Sequence, residues 1–318
     1  MRAVLVTDRT GPAGVHVRDV PTPRPHPDHV LVEVRAAGVT FPDLLLAYGR
    51  YQEVPELPFV LGGEFAGVVL DAPSGSAFTP GDRVVCSSYT GFAEQASVPC
   101  GRVLPLPDDI TFEDGACLPA NYLTMMFGLG RRGRMQAGER VLVHGASGGV
   151  GTASIQLALA LGASQVVAVT SSPLPIVDAR LHVVPVEGFA ARTKSLTEGH
   201  GVDVVVDPVG GDRIVQSLSC MAPGGRALVL GFASGTIPTI DVGLTLEHQV
   251  DLVGVGWGAY LVNQPETLRE EWDSLVSLMR EHPRLRPVID RILTLDDAAD
   301  ALRALEDRRA RGRLVLRP

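Results

Sequence analysis

Apolar positions follow two different patterns along the chain. In the first hundred residues they form short runs: Met1-Arg2-Ala3-Val4-Leu5-Val6, Val30-Leu31-Val32-Glu33-Val34 and Gly67-Val68-Val69-Leu70, with Gly81-Asp82-Arg83-Val84-Val85 joining a turn to a strand. Prolines punctuate the spaces between them, at Pro21 to Pro27, Pro55, Pro58 and Pro80. Short strands separated by such turns predict an irregular, partly closed β domain. From about residue 121 to 255 the runs are continuous and buried in character: Val141-Leu142-Val143, Val166 to Thr170, Val202 to Asp207 and Arg226 to Leu230. Glycine or polar residues stand at their ends and helical patterns lie between them, the signature of a parallel sheet with helical crossovers. Beyond it, Pro265 to Glu281 predicts a helix with Leu268, Trp272, Leu275, Val276 and Met279 on one face, and Asp296 to Leu305 a second. A last strand, Arg313 to Leu316, is expected to return to the β domain. The expected organisation is therefore 1–120 and 256–318 as one domain, with a parallel α/β domain, 121–255, inserted in it.

The most informative junction lies where Val141-Leu142-Val143-His144 empties into Gly145-Ala146-Ser147-Gly148-Gly149-Val150-Gly151 and then into the helical pattern from Thr152 to Leu161. Glycine lets the turn close and lets backbone approach a pyrophosphate, while the first helical turn offers unsatisfied N–H groups at a positive dipole end. Ala146 replaces the usual first glycine of the dinucleotide fingerprint, leaving Gly148 and Gly151 with an added Gly149. The strands that follow supply the context the fingerprint needs.

Composition narrows the function classes. The 318 residues are 45% hydrophobic and 20% charged, without the apolar run a membrane span needs. The amino terminus turns polar at Thr7-Asp8-Arg9, too soon for an export signal, so a cytoplasmic location is expected. A net charge of -8 and scattered arginines give no footprint for nucleic acid. Cys86, Cys100, Cys117 and Cys220 are far apart, and His29, His144 and His248 are solitary, so no metal is expected.

An ordered series of motifs then carries a resemblance: Ala36-Ala37-Gly38-Val39-Thr40, Pro42-Asp43, Gly49-Arg50-Tyr51, Pro58 to Glu64, Gly81-Asp82-Arg83-Val84, Gly91-Phe92-Ala93-Glu94, the glycine turn, Asp207-Pro208-Val209-Gly210-Gly211 and Gly256-Trp257-Gly258. Nearly end to end the chain resembles zinc-independent members of the medium-chain dehydrogenase/reductase superfamily, in the quinone oxidoreductase group. The resemblance implies a GroES-like catalytic domain with a Rossmann domain, and a homodimer. Val39 and Gly63 stand where zinc alcohol dehydrogenases of this superfamily carry a cysteine and a histidine ligand. Without that Lewis acid, reduction of a quinone or conjugated enone by hydride is favoured over alcohol oxidation. An enoyl or enone reductase, and a non-catalytic nucleotide-binding structural or sensor protein, are the alternatives.

The resemblance also implies where the work is done. Thr40, Asp43 and Tyr51 are the catalytic-side candidates: Thr40 keeps a hydroxyl, while Leu45, where relatives often carry tyrosine, keeps none. Tyr51 either orients a ring substrate or relays a proton, or it packs as cleft wall. Asp43 is read as holding neighbouring backbone rather than as an acid–base group. Asn121 and Tyr122 make the pocket floor more polar than is usual. For the cofactor the candidates are Thr124, Ser147, Gly148, Gly149, Val150, Gly151, Ser171, Ser172, Gly210, Phe232 and Trp257. Ser171-Ser172-Pro173 stands where an NAD site commonly has an acid, which favours NADPH over NADH. Relatives preferring NADPH usually add a lysine or arginine just downstream; here Arg180 is the nearest. Pro173 and Pro175 disfavour the helix expected between Ser172 and Val183, predicting a more open adenosine end.

Overall fold

The computed structural model describes residues 1–24 and 26–318; Pro25, within the proline-punctuated stretch, lies outside them. The chain divides into two compact units, Met1–Ala120 with Pro287–Pro318, and Asn121–Arg286.

The first unit begins with strands β1 (Arg2–Val6), β2 (Val15–Asp19) and the long β3 (His29–Val39), then helix α1 (Phe41–Ala47). Strands β4 (Phe59–Val60), β5 (Phe65–Asp71), β6 (Arg83–Cys86), β7 (Gln95–Pro99) and β8 (Val103–Pro105) follow, then the short helix α2 (Phe112–Gly115). Strands β3 and β5 are longer than the apolar runs that predicted them, because antiparallel partners extend them: β3 is paired by β5 along one edge and by β7 along the other.

A π-helical turn at Pro119–Leu123 carries the chain from the first unit's last residue, Ala120, into the second unit, and another follows at Met126–Arg132, a widened winding that apolar periodicity did not anticipate. Then come β9 (Arg140–His144), α3 (Gly149–Ala160), β10 (Gln165–Val169), β11 (Leu181–Val184), α4 (Phe189–Leu196), β12 (Val202–Asp207), α5 (Asp212–Leu218) and β13 (Met221–Val229). Helix α6 (Gly243–His248), β14 (Asp251–Gly254), α7 (Trp257–Asn263) and α8 (Thr267–Glu281) complete it. Its strands form one parallel sheet in the order β11-β10-β9-β12-β13-β14. That is the doubly wound Rossmann arrangement, and the direction of winding reverses between β9 and β12. Between β10 and β11 the crossover has no helix, in keeping with the two prolines.

The chain then rejoins the first unit through β15 (Ile289–Thr294), α9 (Ala298–Glu306) and β16 (Arg313–Arg317). Strand β16 pairs antiparallel with β3, extending the partly closed sheet β15-β16-β3-β5-β6-β8; a smaller sheet, β2-β1-β4, completes the unit. Residues 256–286 belong with the second unit, not with the returning segment as the order of elements suggested. The reason is packing within that unit: Glu271 of α8 accepts from Arg131 Nε at 2.5 Å, and the Trp257 and Tyr260 rings of α7 lie against Phe127.

Each unit has its own core. Val4, Val32, Leu44, Phe65, Phe92, Leu302 and Leu314 belong to the first, and Leu142, Val167, Val205, Phe189, Ile214 and Leu218 to the second. No helix among the described residues is long and apolar enough to cross a membrane.

Candidate functional site

In the second unit, the carboxyl ends of β9 and β12 flank the reversal of the sheet, the place where an open α/β sheet presents its ligand crevice. After β9 the chain turns through Gly145, at φ +58°, and Gly148 N–H closes the turn on Gly145 O at 2.9 Å. A Cβ on Gly151 would lie 2.2 Å from Gly145 O and 2.7 Å from Ala146 Cα, so only glycine permits this approach. The first bond of α3 runs from Thr152 N–H to Gly148 O at 2.8 Å. The N–H groups of Gly149, Val150 and Gly151 therefore point beyond the helix end, as an anion cradle requires.

Hydroxyls occupy the end of β10. Thr170, 8% exposed, donates to Ser147 Oγ at 3.1 Å and accepts from Ser172 N–H at 3.0 Å, linking the glycine turn to the exposed Ser171–Ser172 corner. Sequence reasoning passed over Thr170 because it reads as the end of an apolar strand. Arg180 is not free to serve this corner. Its guanidinium grips Asp178 at 2.9 Å and 2.8 Å and also donates to Leu159 O and Ala163 O, bracing the helix-free crossover against the end of α3. These bonds hold the Asp178 carboxyl down at about 2.

After β12, Asp207 accepts from Val209 N–H at 2.8 Å and Gly210 N–H at 3.0 Å. A Cβ on Gly210 would meet the Phe232 ring at 2.8 Å, so these two candidates touch. Gly210, Gly211 and Arg213 line an open depression of about 540 Å³ together with Glu187, Phe189 and Ser234. Trp257 is 8% exposed and stacks obliquely on Phe127 at 5.3 Å, a core position. Thr124 sits half-buried between the two π-helical turns, two residues after the buried Tyr122, whose hydroxyl donates to Gln156 Oε1 at 2.6 Å. Beneath the turn His144 is wholly buried. Ser217 Oγ donates to Arg213 O, so it accepts from His144 Nε2 at 2.8 Å, leaving Nδ1 bare and without a partner.

In the first unit, Thr40 caps α1. Its hydroxyl donates to Asp43 Oδ2 at 2.5 Å and accepts from Asp43 N–H, while Asp43 Oδ2 also takes Thr40 N–H at 2.8 Å. Asp43 Oδ1 accepts Gly63 N–H at 3.1 Å, fastening the helix to the Leu61–Gly63 turn. The carboxylate is fully buried; burial pushes its pKa up, and these hydrogen bonds pull it down. The Thr40 hydroxyl proton is thus committed to Asp43 rather than offered outward, and Asp43 works as a bracket.

Tyr51 is half-buried against the first core, and burial pushes its phenol up; Tyr89, a residue the sequence reading did not select, is 43% exposed. A Cβ on Gly63 would stand 3.8 Å from Asp43 Oδ1 and 3.9 Å from the Tyr89 ring, so its absence leaves room between them. Glu64 is the other omission. It is fully buried, pairs with Arg313 of β16, and accepts Ala120 N–H at 2.6 Å. Burial pushes its carboxyl up to about 7, against the pull of Arg313. A Cβ on Gly38 would lie 2.8 Å from both partners and 2.3 Å from Ala116 O, so glycine there admits the pair.

Residues 26–108 match the alcohol dehydrogenase GroES-like domain and residues 149–281 the family described as zinc-binding dehydrogenase. A quinone oxidoreductase-like protein 2 homolog of Nematostella vectensis is 33% identical, over 90% of this chain and 81% of that protein. The solved structure of Pseudomonas syringae quinone oxidoreductase superposes with a TM-score of 0.89 at 31% identity, covering 100% of this chain and 99% of that one. A mycobacterial protein solved in complex with NADPH gives 0.89 at 29% identity, covering all of both chains. With Val39 and Gly63 at the positions that hold the metal elsewhere, and similarity running the whole length, the chain belongs to the zinc-independent quinone oxidoreductase group of the medium-chain dehydrogenase/reductase superfamily.

Proposed function

We propose that this protein reduces a quinone, or a comparably electron-poor carbonyl acceptor, by hydride transfer from NADPH without a metal. The observation that carries the reading is the Gly145–Gly151 turn, whose closest approach excludes any side chain at Gly151 and leaves three N–H groups directed outward. That cradle fits a dinucleotide pyrophosphate. A bound dihydronicotinamide supplies the hydride; the protein's part is to bind, orient and manage a proton.

Gly149, Val150 and Gly151 would hold the pyrophosphate, with Ser147, Ser171 and Ser172 at the ribose and Gly210 and Phe232 along the neighbouring loop. Thr124 is proposed to face the nicotinamide end, and Trp257 to support it from within the core. Ser171 and Ser172 set no negative charge against a 2′-phosphate, and Arg180, tied to Asp178, adds no attraction. NADPH is therefore preferred over NADH by a small margin, about tenfold or less, the worth of roughly one hydrogen bond. Tyr51 is the proposed proton donor to the acceptor; Thr40 and Asp43 hold the surrounding backbone. We further propose a homodimer joined at the exposed β14 edge, where Leu252 and the nearby Leu246 are 38% and 82% exposed.

Fluorescence titration with NADPH and NADH, followed by addition of 1,4-benzoquinone to the same samples, tests the reading. Tighter NADPH binding with quinone-dependent oxidation is expected, and a faster reaction with an unsaturated ketone would move the acceptor class to enones. Failure to bind either nucleotide would overturn it.

A further inference from the structure

Nothing in hydride transfer requires the loop 87–91 to be strained, yet Thr90 adopts φ +92°. Arg134, Glu198, Gln249 and Arg308, the other side-chain-bearing residues at positive φ, lie between +47° and +55°, near the left-handed well; Thr90 lies outside it and is β-branched. The loop is held in this state from both sides. Ser87 N–H donates to Arg102 O and Gly91 N–H to Gly62 O, each at 3.0 Å, and Phe92 N–H donates to Leu61 O at 2.9 Å. A Cβ on Gly91 would strike the Phe65 ring at 2.3 Å, so the backbone is pressed against the core. Strain of this kind persists only where surrounding contacts over-determine it, and it concentrates at functional sites. What the loop holds out is the ring of Tyr89, 43% exposed. Beside it, the missing side chain of Gly63 leaves a methyl-sized space, bounded by the Tyr89 ring at 3.9 Å and by Asp43 Oδ1 at 3.8 Å. Asp43 cannot swing in to fill it, because its carboxylate is held by Thr40 and by Gly63 N–H. The loop, the space and the capped helix all belong to the first unit.

We propose that this space is a ring subsite for the acceptor and that Tyr89 determines its specificity: a planar quinone ring stacks on the Tyr89 ring with its edge over Gly63. The proposal rests on the reductase reading and narrows its acceptor from electron-poor carbonyls in general to flat, cyclic, conjugated diketones. An aromatic ring is negative on its faces and positive at its edge, so the phenol face attracts an electron-poor ring, with centroids about 4.5–7 Å apart. An acyclic enone has no ring to lay there and gains little. A quinone stacked on one face keeps its other face open to hydride. In the reaction, a hydride with its two electrons passes from dihydronicotinamide to the quinone and one proton follows, giving hydroquinone and oxidised nicotinamide; Tyr89 forms and breaks no bond. The strained loop gives the platform its value, because a ring ordered before the acceptor arrives loses no further freedom when the acceptor binds.

The test uses the full chain with NADPH and two acceptors: duroquinone, whose fully substituted ring does not add thiols, and 3-penten-2-one, an acyclic enone. KM and kcat are measured for wild type, Tyr89→Ala, Tyr89→Phe and Gly63→Ala, and retention of duroquinone by the resting proteins is measured by equilibrium dialysis. Tyr89→Ala is expected to raise the duroquinone KM about three- to tenfold, the worth of one stacked pair, with kcat and the 3-penten-2-one KM within about twofold of wild type. Tyr89→Phe, which keeps the ring, should restore the duroquinone KM to within about twofold of wild type. Gly63→Ala sets a methyl in the space at ordinary contact distances and without a positive φ, so the melt should be unchanged or raised while the duroquinone KM rises at least as much as in Tyr89→Ala. A duroquinone KM untouched by Tyr89→Ala or by Gly63→Ala, equal losses with both acceptors, or a Tyr89→Phe protein as impaired as Tyr89→Ala overturns the proposal. A wild-type protein that oxidises NADPH with neither acceptor refutes the reductase reading, and the subsite is then decided by dialysis alone. Retention that Tyr89→Ala and Gly63→Ala weaken and Tyr89→Phe keeps sustains the ring subsite; retention equal in all four proteins, or none in wild type, overturns it.

Discussion

Replacing Gly151 by alanine should separate the nucleotide cradle from the rest of the fold. The new Cβ would lie 2.2 Å from Gly145 O, and 2.7 Å and 2.8 Å from the Ala146 Cα and carbonyl carbon. All three are backbone atoms of the turn itself, so no side chain can swing away to make room. The start of α3 must recede by roughly 1 Å, and misplacement of that size in a positioned site costs on the order of a hundredfold. Overpacking adds a stability loss of about 1–3 kcal/mol. Gly148→Ala provides the comparison, since its Cβ would sit 3.3 Å from Gly145 O, a contact that a few tenths of an ångström relieve. Binding is read by NADPH fluorescence titration, with circular dichroism melts to register folding. Gly151→Ala should weaken NADPH binding about a hundredfold with the melt preserved but lowered, and Gly148→Ala by less than about tenfold. NADPH binding by Gly151→Ala equal to wild type, or a larger loss in Gly148→Ala, would refute the reasoning.

Arg180→Gln should loosen the crossover before β11 and lower the melting temperature, yet leave the NADPH to NADH affinity ratio within about twofold, because its guanidinium braces Asp178, Leu159 O and Ala163 O. A collapse of that ratio toward NADH would instead make Arg180 a phosphate ligand. His144 is held neutral, its pKa lowered to about 3 chiefly by burial, while the unfolded chain protonates near 6.5. Its contribution is complete above pH 6.5 and is lost as pH falls toward 3, at about 1.4 kcal/mol per pH unit. Urea midpoints between these limits should show an acid slope that His144→Phe flattens, and an unchanged slope would count against a buried neutral imidazole. Leu252→Lys, on the exposed β14 edge, should halve the mass seen by light scattering if that edge joins two copies, and an unaltered dimer would place the interface elsewhere.

The glycine turn was legible in the sequence because what it needs is local: an approach closed to any Cβ selects Gly151 whatever surrounds it. The helix-free crossover was legible for the same kind of reason, since Pro173 and Pro175 act on their own backbone. The assignment of residues 256–286 was not, because an apolar helix face such as that of α8 states that it will be covered without stating by what.

The catalytic side was the least legible. Thr40 looked like a free hydroxyl until the capping box committed its proton to Asp43, three residues on. Glu64 and Arg313 lie far apart in the chain and meet only in the folded first unit. Arg180 likewise read as a basic candidate for a phosphate, whereas its position beside Asp178 and two helix-end carbonyls spends it on structure. By itself, then, the sequence determined the two kinds of domain, the parallel sheet and the cradle, because periodicity, proline and glycine act through their nearest neighbours. Only the tertiary structure decided which polar groups remain free to act, because a hydroxyl, carboxylate or guanidinium is defined by the partner that reaches it, and those partners arrive from distant segments.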